Sequence, residues 1–243
     1  MISNLVVFLA AFLALSSQSE RRTVWQGAFT AEQAARGQTL FETSCMRCHQ
    51  GNNELVNPQS RLRGEQFLHR WREDNLESLF ALVKQTMPRN DPGKLPDQTY
   101  VDIISFLLLT NGFPAGNKEL ALTDLKNIQI EGKDGPAPVP HGALVQLVGC
   151  LAQGETAWLL ARASEPARTR TPNSSTDEEL KAAEPMPIGR MQFRLQGLES
   201  VGPNFRPLPN TGMKLHVKGY LVLQPGRERI NVTSISVLSA PCS

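Results

Sequence analysis

Apolar positions repeat with two different periods along this chain. In residues 20–119 the period is helical. Leu76, Leu79, Phe80 and Val83 fall at offsets of 3, 4 and 7 on one face. That spacing predicts a helix over 76–86, stopped by Pro88. Tyr100, Ile103, Ile104, Leu107 and Leu108 share a side in the same way. They predict a helix over about 97–110, ended by Asn111-Gly112. Glu65 to Glu73 reads as another helical stretch. Thr30-Ala31-Glu32-Gln33 has the form of a capping box, so a helix is expected from Ala31 toward Cys45.

The period changes to two further on. Residues 132–142 (GKDGPAPVPHG) hold three Pro and three Gly, the composition of a linker. Beyond them, Leu144 to Val148, Trp158 to Leu160, Met191 to Leu195, Lys214 to Val222 and Ile230 to Ile235 read as short, partly alternating strands. The polar run Pro166 to Pro187 is expected to be a long mobile excursion. The expected fold class is α + β multidomain. An all-α domain spans 20–119, a linker 120–142, and an all-β small barrel or sandwich, OB-like, spans 143–243.

The first residues stand outside this plan. Leu5 to Leu15 (LVVFLAAFLAL) is an 11-residue apolar run, short of a bilayer span. With the small residues after it, it reads as a signal peptide over 1–19; an uncleaved anchor is the alternative. No other apolar run approaches spanning length, so no membrane span is expected after cleavage. The expected location is periplasmic or secreted. Net charge is +2, and no basic patch interleaves with the few aromatics, which removes nucleic acid as a partner. Export changes the reading of the four cysteines, Cys45, Cys48, Cys150 and Cys242, because an oxidising compartment favours disulfides.

Cys45-Met46-Arg47-Cys48-His49 carries the chemistry. Cys-x-x-Cys-His is the attachment pattern of c-type haem. Two intervening residues let one helical turn present both thiols to the two vinyl groups, and the histidine that follows reaches the iron. A Cys-x-x-Cys redox pair needs no such histidine and follows a strand rather than a helix. A zinc site needs a second pair of ligands at short spacing, and the sequence has none. One haem c, covalently bound, is the expected cofactor.

The sixth ligand is reached by placement. Met46 lies inside the attachment loop, and Met186, Met191 and Met213 belong to the strand-rich half. Met87 stands at the end of a predicted helix, and Pro88 forces its backbone toward extended geometry. The metal ligands are therefore read as His49 and Met87, with His69 as the rival and a plain packing role for Met87 as the bland alternative.

With these residues in place, 24–119 resembles a small class I monohaem cytochrome c of the type associated with pyrroloquinoline-quinone-dependent dehydrogenases. The matching stretches are VWQGAFTAEQAARGQTLF, SCMRCHQG, LRGEQFLHRW, LFALVKQTMP and DIISFLLLTNGFPAG. The resemblance implies that the first and last helices cross near the haem edge, with Gly37, Phe41 and Phe106 at the crossing. It implies that Trp71 lies near a haem propionate and belongs to the cofactor-binding set. The family has a proline two residues before the Leu of Leu-x-Gly, whose carbonyl accepts from the axial imidazole. Ser60 takes that place here and the nearest proline is Pro58, so the resemblance assigns no carbonyl to His49. Residues 143–243 resemble a small β domain appended to exported cytochromes, with the pattern VGCL…W.L..A.EP, and Cys150 and Cys242 would form a disulfide within it. His141 and His216 lack partners at ligand spacing and are expected at the surface.

These readings point to an exported carrier of single electrons, working with a periplasmic dehydrogenase of the quinoprotein type or a respiratory partner. His/Met ligation leaves no open iron position, and no Ser-His-Asp set or Gly-rich phosphate loop appears. The alternatives are a haem subunit of an oxidoreductase or peroxidase, and a haem-based ligand sensor.

Overall fold

A computed structural model describes residues 22–49, 62–201 and 205–242. The N-terminal apolar run and the expected cleavage region lie outside the described residues, as do Pro58 and Ser60. Among the described residues no helix is long and apolar enough to cross a membrane.

Four helices form the first unit: α1 (Ala31–Ser44), α2 (Gly64–Trp71), α3 (Leu76–Thr86) and α4 (Asp97–Thr110). The apolar stripes of the last two set their bounds directly. At α1 the expected capping box forms only in half. Thr30 accepts the Gln33 N–H at 3.1 Å. The Gln33 amide instead donates to Asp102 Oδ1 and to the Leu120 carbonyl, both at 3.0 Å, and its Oε1 accepts the Leu120 N–H at 2.7 Å. Gln33 is fully buried, and a buried amide takes whichever partners satisfy it. α1 crosses α4 at Gly37, where a Cβ would lie 1.8 Å from the Asp102 carbonyl oxygen. Only glycine permits that approach.

Part of the stretch expected as linker is folded into this unit. β1 (Arg22–Thr23), β2 (Asp74–Asn75) and β3 (Ile128–Ile130) make a small sheet in the order β1-β3-β2. Leu120, Leu125, Ile128 and Ile130 pack with Phe67, Trp71, Leu76 and Leu108. The Trp25 indole donates to the carbonyls of Glu131 and Gly132. A three-residue strand is too short to show a period, which is why the sequence reads as linker from residue 120.

The second unit holds β4 (Leu144–Gln153), β5 (Trp158–Ala163), β6 (Ala167–Arg168), β7 (Met191–Gln196), β8 (Met213–Val222) and β9 (Arg229–Pro241). Their order is β5-β7-β9-β8-β4-β6, and β4 also pairs with β5. β7 and β9 run parallel; the other neighbours in this sheet are antiparallel. Val145, Leu147, Phe193, Leu215 and Val217 are among its inner residues. Cys150 on β4 is bonded to Cys242 beyond β9, with Cα atoms 5.8 Å apart and a sequence separation of 92. Closing so long a loop stabilises by up to about 4 kcal/mol.

The 166–187 stretch is ordered against β8. It carries β6 and α5 (Asp177–Ala183), the latter opened by a complete Thr176–Glu179 capping box. Strand alternation puts Lys214, His216 and Lys218 on the face of β8 opposite Leu215 and Val217, and this segment covers them. Lys218 is fully buried. It donates to both carboxylate oxygens of Glu179, at 2.8 and 2.7 Å, and to Thr171 Oγ1 at 3.2 Å. Lys214 donates to the carbonyls of Glu184 and Met186. His216 is buried, against the expectation of a surface residue, and its Nδ1 lies 2.9 Å from Ser175 Oγ. Leu180 and Ala183 pack on Val148 and Leu238. Polar composition alone reads as solvated chain; here the polar groups meet buried cations instead.

Burial pushes the His216 imidazole below its ordinary value, and Lys218 pushes it further down, with Glu179 opposing. Burial acts to raise Glu179, but hydrogen bonds from Lys218 and the Thr176 N–H outweigh it and hold the carboxyl low. A histidine depressed in the folded state stabilises the fold above its unfolded pKa. That stability is lost as pH falls through about 6.5 toward the folded value. The melting temperature should therefore fall by a few degrees between pH 7.5 and pH 5.5, and by less in His216→Asn. Thermal melts of the two proteins check this; identical pH slopes would remove His216 as the cause.

Candidate functional site

α1 delivers the Cys-x-x-Cys-His segment. The Cys45 N–H donates to the Phe41 carbonyl at 2.8 Å, and the Cys48 and His49 N–H groups donate to the Cys45 carbonyl at 3.1 and 3.0 Å. The segment thus forms a turn directly after α1, whose C-cap is Cys45. Residues four apart on such a turn are neighbours, which sets Cys45 and His49 near one another.

Cys45 packs against a core of Phe41 from α1 with Ile103 and Leu107 from α4, and Phe106 of α4 and Leu62 and Leu95 from connecting chain pack against the same core. Phe41 and Phe106 stand with ring centroids 5.4 Å apart, and Phe41 and His49 6.4 Å apart. The residues that the resemblance sets at the helix crossing, Gly37, Phe41 and Phe106, are thereby brought to one place beside the two thiols and the imidazole.

Both thiols are free; Cys45 is half-buried and Cys48 exposed. Burial, and secondarily Cys48, pushes the Cys45 thiol up to about 11. A redox-active Cys-x-x-Cys pair has the opposite tendency, a thiol held low. Burial pushes the His49 imidazole below its ordinary value, disfavouring the charged form. Its Nδ1 is buried with no hydrogen-bond partner among the described residues.

The second arm is the loop after α3. α3 stops at Thr86, and Met87 is extended, with φ −131° and ψ 149°, as a residue before proline should be. Met87 is half-buried. Its N–H donates to Val83, and its carbonyl accepts the Tyr100 hydroxyl at 2.8 Å. Tyr100 stands one turn before Ile103 on α4, the helix that walls Cys45. Leu95, on the same loop as Met87, packs into that wall. The loop and the attachment segment therefore flank one helix. Tyr100 was legible in the sequence only as one more member of an apolar stripe; the hydrogen bond of its hydroxyl gives it a second role.

Trp71 is placed elsewhere. It is buried with Phe67, Leu76 and Ile130 in the larger core and is not in the Cys45 cluster. The Arg170 guanidinium lies 4.3 Å from its ring centroid. His69, the rival ligand, is exposed on α2.

The residues present fit a covalently attached haem. They offer two free thiols on one turn, an imidazole whose buried Nδ1 has no hydrogen-bond partner among the described residues, and an apolar wall with two phenylalanines. Residues 32–107 match a family model described as cytochrome c oxidase, cbb3-type, subunit III. That match supports a cytochrome c domain over these residues, and such a domain implies haem c, electron transfer and a redox partner. No curated protein and no solved structure matches the chain.

Proposed function

We propose that this protein is an exported carrier of single electrons. It holds one haem c by thioethers to Cys45 and Cys48, with His49 and Met87 as the axial pair. The observation that carries the reading is the Cys-x-x-Cys-His turn at the end of α1, set against the Phe41–Phe106 wall inside the region of family similarity. When bound, the haem supplies reversible one-electron chemistry at iron, with the potential held high by a thioether ligand. The chain does the rest. The half-buried imidazole of His49, its pKa lowered by burial, keeps its lone pair available. Tyr100 and Pro88 fix the backbone of Met87. The aromatic wall excludes water from one side of the site.

In this reading residues 1–19 are a removed signal peptide and the protein works in the periplasm or outside the cell. The partner is a respiratory complex of the terminal-oxidase kind, which the description of the matched family favours, or a quinoprotein dehydrogenase. Residues 143–243 form an OB-like small barrel; the circuit of pairings from β4 through β5, β7, β9 and β8 back to β4 supports that reading.

The exported protein should carry the mass of one haem and keep it through acid-acetone extraction. Release of the haem under that treatment would overturn covalent attachment.

A further inference from the structure

α2 is held at both ends by other parts of the chain. At its start the Gly64 N–H donates to Asn111 Oδ1 at 2.9 Å, and Asn111 Nδ2 donates to the Leu62 carbonyl at 2.8 Å. Leu62 packs in the wall beside Cys45. At its end two arginines of the β-rich unit close on it. Arg168 donates from Nε to the Arg72 carbonyl and from Nη2 to the His69 carbonyl at 2.6 Å. Arg170 pairs with Asp74, donates to the Arg70 carbonyl at 3.1 Å, and lies over Trp71.

These contacts have a physical reason. The last carbonyls of a helix lack intrahelical donors, and a cation there meets the negative end of the helix dipole. The two arginines come from a fixed support. Val145 and Gln146 of β4 pair with Arg168 and Ala167, and the Thr169 N–H donates to the Leu144 carbonyl at 3.1 Å. Ala137 adds a third crossing, its N–H donating to Glu73 Oε1 at 3.1 Å. Burial, then Arg170, pushes the Arg168 guanidinium down to about 10. An eight-residue helix is only about 12 Å long, so a restraint at its C-terminus is felt near Leu62.

We propose that Arg168 and Arg170 are positioning residues of the haem site: from the β-rich unit they fix the C-terminal end of α2, and α2 passes that restraint to Leu62 in the wall beside Cys45. The inference rests on reading that wall as the haem site. It makes the β-rich unit a brace for the redox centre rather than a separate module on a loose tether.

The test compares the full-length, haem-loaded protein with Arg168→Ala/Arg170→Ala and with Arg170→Lys. Lysine keeps the charge but loses the planar fork and the stack on Trp71. Amide hydrogen exchange over 64–72 should be about tenfold faster in both variants, with exchange over 97–110 unchanged. The reduction potential should fall in both, because a loosened wall admits water and favours ferric iron. Unchanged exchange over 64–72 overturns the brace. Faster exchange at an unchanged potential also overturns it, since α2 would then be held for stability alone. Wild-type values in Arg170→Lys, with losses only in the alanine variant, would show a simple charge effect and overturn it as well. If the chain carries no haem, it is the haem reading that fails; exchange over 64–72, measured on the haem-free chain, then shows whether the arginines hold α2.

Discussion

Met87→Ala should lower the reduction potential, abolish the weak far-red sulfur-to-iron band of the ferric protein, and let carbon monoxide bind the ferrous protein. Axial ligands move haem potentials over a span of about 0.8 V, so a drop of roughly 0.1–0.2 V is expected. The argument starts from backbone. Pro88 and the Val83 carbonyl end α3 at Thr86, and Tyr100 ties the Met87 carbonyl to α4. That placement survives truncation of the side chain, so the variant loses a ligand and keeps its loop. Met87→His should restore a low-spin haem at a lower potential than wild type. Redox titration and ferrous–carbon monoxide spectra measure all three outcomes. A wild type that already binds carbon monoxide tightly would discard Met87 and bring the sensor and peroxidase readings forward.

Gly37→Ala should strongly lower the melting temperature of the helical unit. The added Cβ would lie 1.8 Å from the Asp102 carbonyl oxygen and 2.5 Å from its carbon, both backbone atoms of α4 that cannot rotate away. The helices must separate, and two contacts from α1 to the Asp102 carboxylate loosen with them: Gln33 at 3.0 Å and Arg36 at 3.3 Å. Overpacking costs roughly 1–3 kcal/mol in side-chain cores, and a backbone clash belongs at the upper end or beyond. Alanine's better helix propensity returns only about 1 kcal/mol. For a unit of this size each kcal/mol moves the melting temperature by roughly 4–8 °C, so a drop of about 10 °C or more is expected. Calorimetry of the haem-loaded variant measures it. A transition within two degrees of wild type would mean that α1 and α4 do not meet at Gly37.

Much of the candidate site was open to reading in the sequence because its parts are local. Cys45, Cys48 and His49 occupy one turn, and their spacing is itself the geometry. Leu76 to Thr86 and Asp97 to Thr110 form the helices their apolar stripes predict, to the residue. Proline constrains the residue before it wherever it stands, so the extended Met87 followed from Pro88. Strand alternation located the five long strands of the second unit for the same reason.

What remained hidden depends on partners far away along the chain. Gln33 looked like half of a capping box, yet its amide goes to Asp102, 69 residues on, because burial there leaves it no water. His216 looked like a surface histidine, and its partner is Ser175, 41 residues back, on a segment whose polarity reads as loose chain. Arg168 and Arg170 sit in a stretch with no motif. Only the meeting of the two units brings them onto α2, 96 residues from Arg72 and from Asp74. The sequence by itself determined the Cys-x-x-Cys-His turn, the helices around it and the strands, since each is a property of neighbouring residues. The tertiary structure alone decided which polar groups are buried, where the helical unit ends, and that the β-rich unit grips α2. Those outcomes follow from which surfaces come together once water is excluded between them, and no local period records that.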